Sequence, residues 1–175
     1  MSASWLAKPA VGGSLHAWLT APGSLSWRIQ ARCAEFRVRR LRQERARPWL
    51  DETGLVGVPA GRHALVREVI LANGDTPLIF AHSVTAVAHL NGPWRSLRGL
   101  GGRPLATMLF DDTRIQRRPL EYRKMNGRHP LYRRAAAVLP GLPAELWARR
   151  SVFLFQGAPL LVTEVFLPAI TELNP

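Results

Sequence analysis

Two charged residues stand where a strand should present only apolar side chains. In Leu65-Val66-Arg67-Glu68-Val69-Ile70-Leu71, Arg67 shares one strand face with Leu65, Val69 and Leu71. In Leu160-Leu161-Val162-Thr163-Glu164-Val165-Phe166, Glu164 shares its face with Leu160, Val162 and Phe166. Side chains alternate along a strand, so residues two apart point the same way. Each charge then projects into an apolar layer, where an unpaired ion costs several kcal/mol. One compensation is a structural salt bridge, either between the two or with Glu68 and Arg150. The other is a closed pocket, with Arg67 gripping a ligand carboxylate by a two-pronged hydrogen bond and Glu164 meeting a ligand hydroxyl at the far end. Both strands are apolar on both faces, so periodicity leaves the choice open.

Other groups that could do chemistry are less well placed. The five histidines (His16, His63, His82, His89, His129) show no ligand spacing, and the single Cys33 cannot build a thiolate site, so no metal is expected. Gly99-Leu100-Gly101-Gly102 is not followed by Lys-Ser/Thr and is no phosphate loop; its glycines suit a tight backbone near a ligand or a hinge. Ser83 lacks a nucleophile elbow and Cys33 an evident base, so both read as structural. Asp111-Asp112 reads as a turn or cap. The net charge of +12 favours anionic partners. Arg37, Arg39, Arg40, Arg42, Arg45 and Arg47 alternate as a solvated strand face does, without a nucleic-acid motif, so no specific nucleic-acid role is expected and steering of an anionic substrate is the simpler use. No apolar run approaches a bilayer span and no signal peptide is evident, which makes the cytoplasm the expected location.

The elements that must position Arg67 and Glu164 are legible around them. A chain of 175 residues fits one domain, residues 1–175. A short helix is expected near Leu15 to Leu19, and Ser24 can cap a second through Trp27 and Ile29. Phe36 and Val38 open a strand that Pro48 ends. Asn73-Gly74-Asp75 joins two β-rich runs as a hairpin, and Gln156-Gly157-Ala158-Pro159 turns a second. Between them lie two short helices around the glycine loop, a strand within 114–124 and a helix from His129 to Val138. About six strands joined mostly by hairpins predict an α+β domain on one antiparallel sheet.

VREVIL, NG, PLIFAHSV, GGRPLATMLF and LWARRSVFLFQGAPLLVTEVFLPAI together resemble the chorismate pyruvate-lyase family of the bacterial ubiquinone pathway, most clearly over residues 62–170. The resemblance implies a monomeric lyase that converts chorismate to 4-hydroxybenzoate and pyruvate with no metal or organic cofactor. It implies a cavity inside an α+β fold, roofed by flap segments. By position, Arg67 and the backbone N–H of Leu105 match the groups that bind the ring carboxylate. Glu164 matches the acid near the product hydroxyl, orienting it or assisting elimination, and Leu25 falls near a further backbone contact. Chorismate carries a second carboxylate, for which Arg149 or Arg150 beside Trp147 are the candidate cations, and Trp94 and Trp147 are candidate cavity walls. The competing reading is a non-catalytic domain of related fold that senses a small aromatic carboxylate.

Overall fold

The computed structural model describes residues 4–175. Two short helices, α1 (Gly13–Thr20) and α2 (Leu25–Gln30), precede strand β1 (Phe36–Ala46) and helix α3 (Leu50–Val56). Strands β2 (Ala64–Asn73) and β3 (Thr76–Ala86) form the first hairpin. Two 3₁₀ turns (Val87–Asn91 and Arg95–Gly99) and helix α4 (Ala106–Leu109) lead to β4 (Gln116–Arg117) and β5 (Glu121–Asn126). Helix α5 (Pro130–Ala136) is followed by the second hairpin, β6 (Glu145–Phe155) and β7 (Ala158–Phe166), and a closing 3₁₀ turn (Pro168–Glu172). The sheet order is β1-β2-β3-β7-β6-β4, with β5 also on β6, and every pairing is antiparallel. The α+β antiparallel architecture is therefore as expected. Seven strands appear rather than about six because the 114–124 run is two strands. Pro119 lies between them, and proline has no N–H to donate to a ladder.

Local chemistry accounts for the expected elements. Ser24 Oγ accepts from the Trp27 N–H at 3.2 Å, capping α2. Gln156 and Gly157 both hold positive φ (51° and 78°), the geometry of a two-residue hairpin turn between β6 and β7. His129 Nδ1 accepts from the Leu131 N–H at 3.2 Å and so caps α5. Helix α3 carries no ordinary capping residue before it. Its start is fixed by Glu52, whose Oε2 accepts from the Trp49 N–H at 2.9 Å, and its end by Gly57 in the left-handed region.

Both faces of the sheet are covered, which is why β2 is buried along nearly its whole length. One face packs α1, α2, α4 and the 3₁₀ turns around Trp18, Ile29, Trp94 and Leu97. Trp18 is fully buried, and its Nε1 donates to the Leu173 carbonyl at 3.2 Å, tying α1 to the last turn of the chain. The other face packs α3 and α5 on Ile70, Phe80, Val84 and Val165. Trp94 and Trp147 belong to the packed interior. Among the described residues no helix is long and apolar enough to cross a membrane.

A polar cluster sits inside the α3 and α5 side. His82 on β3 lies 3.0 Å from Glu52 Oε1 of α3 and 3.2 Å from Glu68 Oε1 of β2, with the Trp49 indole stacked on its ring. Arg42 of β1 and Arg134 of α5 close on Glu68 at 2.8 and 2.7 Å. Burial opposes ionisation of Glu68, but His82, Arg42 and Arg134 outweigh it and hold the carboxyl down at about 2. Burial likewise opposes a charged His82, and the two carboxylates outweigh it and raise the imidazole above its usual 6.5. Glu68 thus stabilises the fold fully above its ordinary 4.5 and loses that contribution as pH falls towards about 2. His82 contributes fully below 6.5 and loses its contribution as pH rises through its raised folded value. The cluster is strongest between pH 4.5 and 6.5. A His82→Gln variant should melt several degrees below the wild type at pH 5.5, and the gap should shrink as pH rises. A gap of equal size at pH 5.5 and pH 9 would show that His82 is not held as a cation.

Candidate active site

The face under α1, α2 and α4 carries a roofed cavity. Its floor is the sheet itself: Arg67, Val69 and Leu71 of β2, Ala81 and Ser83 of β3, Val162 and Glu164 of β7, and Phe153 of β6. Its roof is the Gly23–Ser26 turn into α2 together with Leu105, Ala106, Leu109 and Phe110 around α4. Arg67, Leu105, Glu164 and Leu25, all singled out from sequence, line this one space.

Arg67 is 3% exposed and has no acidic partner among the described residues. Its Nη1 donates to Gln43 Oε1 and the Gly101 carbonyl, both at 2.9 Å, and its Nη2 to the Arg103 carbonyl at 3.1 Å. All three acceptors are neutral. Burial lowers the guanidinium from its ordinary value, and nearby Arg40 lowers it further. The interior thus contains a cation without a counter-ion, which is the electrostatic signature of an anion site. Two local features build it. Gly101 adopts φ +60°, which glycine tolerates, and its carbonyl reaches the guanidinium. The β1–β2 register shifts between Arg40 and Arg42, so Gln43 comes opposite Arg67 while Arg42 falls opposite Glu68. The Leu105 N–H, at the head of α4, finds no acceptor among the described residues, and Leu105 lines the roof of the same cavity.

Glu164 sits two strands from Arg67, in the row Val69–Ala81–Glu164–Arg149. The two charges pair neither with each other nor with Glu68 or Arg150. Glu164 Oε2 accepts from Arg149 Nε at 2.6 Å, whereas Arg67 has no such pair. Glu68 points to the opposite face of the sheet and cannot serve Arg67. Arg149 is fully buried behind Glu164, and its Nη1 also donates to the Leu19 and Ala21 carbonyls at the end of α1 at 3.1 and 2.9 Å. One oxygen of Glu164 is thereby committed to Arg149.

The candidates for a second substrate cation are corrected by the structure. Arg149 does not line the cavity: its Nε and Nη1 are engaged by Glu164 and the end of α1, and its buried Nη2 has no hydrogen-bond partner among the described residues. Arg150, one residue on, faces the α3 side, pairs with Glu121 at 2.8 Å and stacks over Trp5. Trp94 and Trp147 are not walls of the cavity either. The cavity arginine that sequence reading missed is Arg117 of β4, which is half-buried between Phe110 and Phe153. Its position in a two-residue strand gives no periodicity to read. Ser83, read as structural, lies on the cavity floor, its Oγ 3.5 Å from the Arg67 carbonyl oxygen.

A roofed, largely apolar cavity on an antiparallel sheet, with an unneutralised guanidinium at one end and an acid further in, defines an α+β module whose cavity suits a small organic anion. The fold matches solved structures of that architecture. The effector domain of PhnF from Mycobacterium smegmatis superposes with a TM-score of 0.57 at 15% identity, over 83% of this chain and 89% of that one. The ligand-binding domain of a putative GntR-family regulator from Bordetella bronchiseptica gives 0.53 at 18%, over 77% and 86%. The sequence decides the class. Residues 3–173 match the family model for chorismate lyase. A probable chorismate pyruvate-lyase of Nitrosomonas europaea is 50% identical over 91% of this chain and 89% of its own length. Another, from an Azoarcus species, is 48% identical over 97% and 93%. The chain belongs to the chorismate lyase family and is an enzyme of that class.

Proposed function

We propose that this protein converts chorismate to 4-hydroxybenzoate and pyruvate, with Arg67 and the Leu105 N–H holding the ring carboxylate and Glu164 the C4 hydroxyl. The observation that carries this reading is Arg67 itself: a buried guanidinium held only by neutral acceptors, in a cavity whose roof carries Leu105, an amide with no acceptor among the described residues. In the reaction the C3–O ether bond breaks and C4 loses its hydrogen, which makes the ring aromatic. The enolpyruvate that departs takes up the proton at its methylene carbon and becomes pyruvate. Aromatisation supplies the drive, so the protein's tasks are to fix the ether and the C4 hydrogen in a reactive arrangement, keep out water and offset charge on the leaving group. The Leu25 backbone closes the roof over the ring.

The reading places the enzyme as one domain, a cytoplasmic monomer, at the step that supplies the aromatic head group for ubiquinone synthesis; what supports these points is the family resemblance. Incubating the purified protein with chorismate and following pyruvate and 4-hydroxybenzoate tests the reaction. Equimolar release of both is expected. Binding of 4-hydroxybenzoate without any turnover would replace it with the ligand-sensing reading that the fold neighbours share.

Glu164 positions the hydroxyl and transfers no proton. Glu164→Gln keeps an oxygen for the hydroxyl but leaves Arg149 without its counter-charge, so the variant should be less stable yet retain kcat within about tenfold of wild type. Complete loss of turnover with product affinity intact would assign Glu164 a proton-transfer role instead.

A further inference from the structure

We infer that Arg117 is the anchor for the second carboxylate of the substrate, the one carried by the enolpyruvyl side chain, and that it distinguishes substrate from product. The inference rests on the chorismate reading above and extends it to a residue that sequence periodicity did not reach.

The first ground is position. Arg117 Nε donates to Ser151 Oγ at 3.2 Å, and Ser151 stands in the strand row Arg67–Ser83–Val162–Ser151. Three strand spacings of roughly 4.8 Å separate the backbones at its two ends, about 14 Å in all. Arg67 holds one end of the cavity floor and Arg117 the other, and both side chains line the space between. The second ground is chemistry. Like Arg67, Arg117 is satisfied only by neutral oxygens, Ser151 Oγ and the Gly23 carbonyl at 3.0 Å, and it has no acidic partner within ion-pair distance among the described residues. Its guanidinium lies 5.2 Å from the Phe153 ring centre and 5.8 Å from that of Phe110, in a wall that shields it from water without neutralising it. Burial lowers its proton affinity and Arg149 adds to that, against the opposing charge of Glu164.

The third ground is charge balance. Arg67, Arg117 and Glu164 on the walls, with Arg149 behind Glu164, leave the site with two net positive charges. Chorismate brings two carboxylates and neutralises it. Cleavage carries one carboxylate away on pyruvate, so the bound 4-hydroxybenzoate satisfies Arg67 and leaves Arg117 bare. The two arginines therefore have separable effects. Arg117 also bonds the Gly23 carbonyl in the roof turn, so a carboxylate engaged there lies where the roof meets the sheet.

Kinetic constants for chorismate and the dissociation constant of 4-hydroxybenzoate, measured on wild type, Arg117→Gln and Arg117→Lys, test this. Arg117→Gln is expected to lower kcat/KM by about 30- to 100-fold, mainly through KM, with product affinity changed less than about threefold. Arg117→Lys, which keeps the charge without the fork, should recover part of the loss. Binding of 3-(carboxymethoxy)-4-hydroxybenzoate, a dianion with its second carboxylate on the ether oxygen, supplies a readout independent of turnover and should weaken by a similar factor in Arg117→Gln and by less in Arg117→Lys. Unchanged kcat/KM in Arg117→Gln, or parallel loss of product and dianion affinity, overturns the assignment. A wild-type protein that binds both aromatic acids without consuming chorismate would instead remove the lyase reading, while the dianion comparison would still test Arg117.

Discussion

Arg67→Ala is expected to abolish the tight binding of 4-hydroxybenzoate and to cut kcat/KM for chorismate by about 10²- to 10³-fold. Truncating one partner of a buried, hydrogen-bonded charge pair costs 2–5 kcal/mol or more, and each 1.4 kcal/mol is tenfold in affinity. Substrate and product share the ring carboxylate, so both must suffer, in contrast to Arg117→Gln. The free protein should not unfold. Removing Arg67 relieves a buried cation without a counter-ion but orphans the Gln43, Gly101 and Arg103 acceptors, so the two effects oppose and the melting temperature should change by no more than a few degrees. Calorimetric titration with 4-hydroxybenzoate and a thermal melt check the two halves separately. A variant with normal product affinity would remove Arg67 from the carboxylate site.

Arg149→Met is expected to do the reverse, acting first on stability. Arg149 is fully buried, holds Glu164 at 2.6 Å and satisfies the Leu19 and Ala21 carbonyls that end α1. Its loss leaves an unpaired carboxylate beside the cavity and two orphaned backbone acceptors. Breaking a buried pair by removing one partner costs about 3–5 kcal/mol, which for a chain of this size lowers Tm by about 10 °C. The double variant Arg149→Met/Glu164→Leu removes both charges and should regain part of that loss. A single variant that melts within a degree or two of wild type would show that the pair and the α1 anchor are energetically neutral.

Arg67 and Glu164 stood out because a charge within an alternating apolar strand is a local contradiction, visible without any knowledge of what lies opposite. The hairpins were legible for the same kind of reason: Gly74 and Gly157 take positive φ (56° and 78°), which glycine accepts and most residues resist. What the charges face depends on pairings between residues far apart in sequence. Arg149 and Arg150 are neighbours on β6, and the alternation of that strand sends one to Glu164 and the other to Glu121 on the opposite side. Nothing local says which is which. Gln43 reaches Arg67 only because β1 bulges near Leu41, and Arg117 sits in a strand too short to have a period. Helix α3 was missed because Trp49 offers no usual cap, although Glu52 three residues on and Gly57 beyond the end carry the signature.

The orientation of the aromatic ring is the claim on which the rest depends, and a crystal structure with 4-hydroxybenzoate bound tests it most directly. The product's carboxylate is expected within hydrogen-bond distance of the Arg67 guanidinium and the Leu105 N–H, with its hydroxyl towards Glu164 and Arg117 left without a carboxylate. A product carboxylate seated on Arg117, or density outside this cavity, would contradict the account.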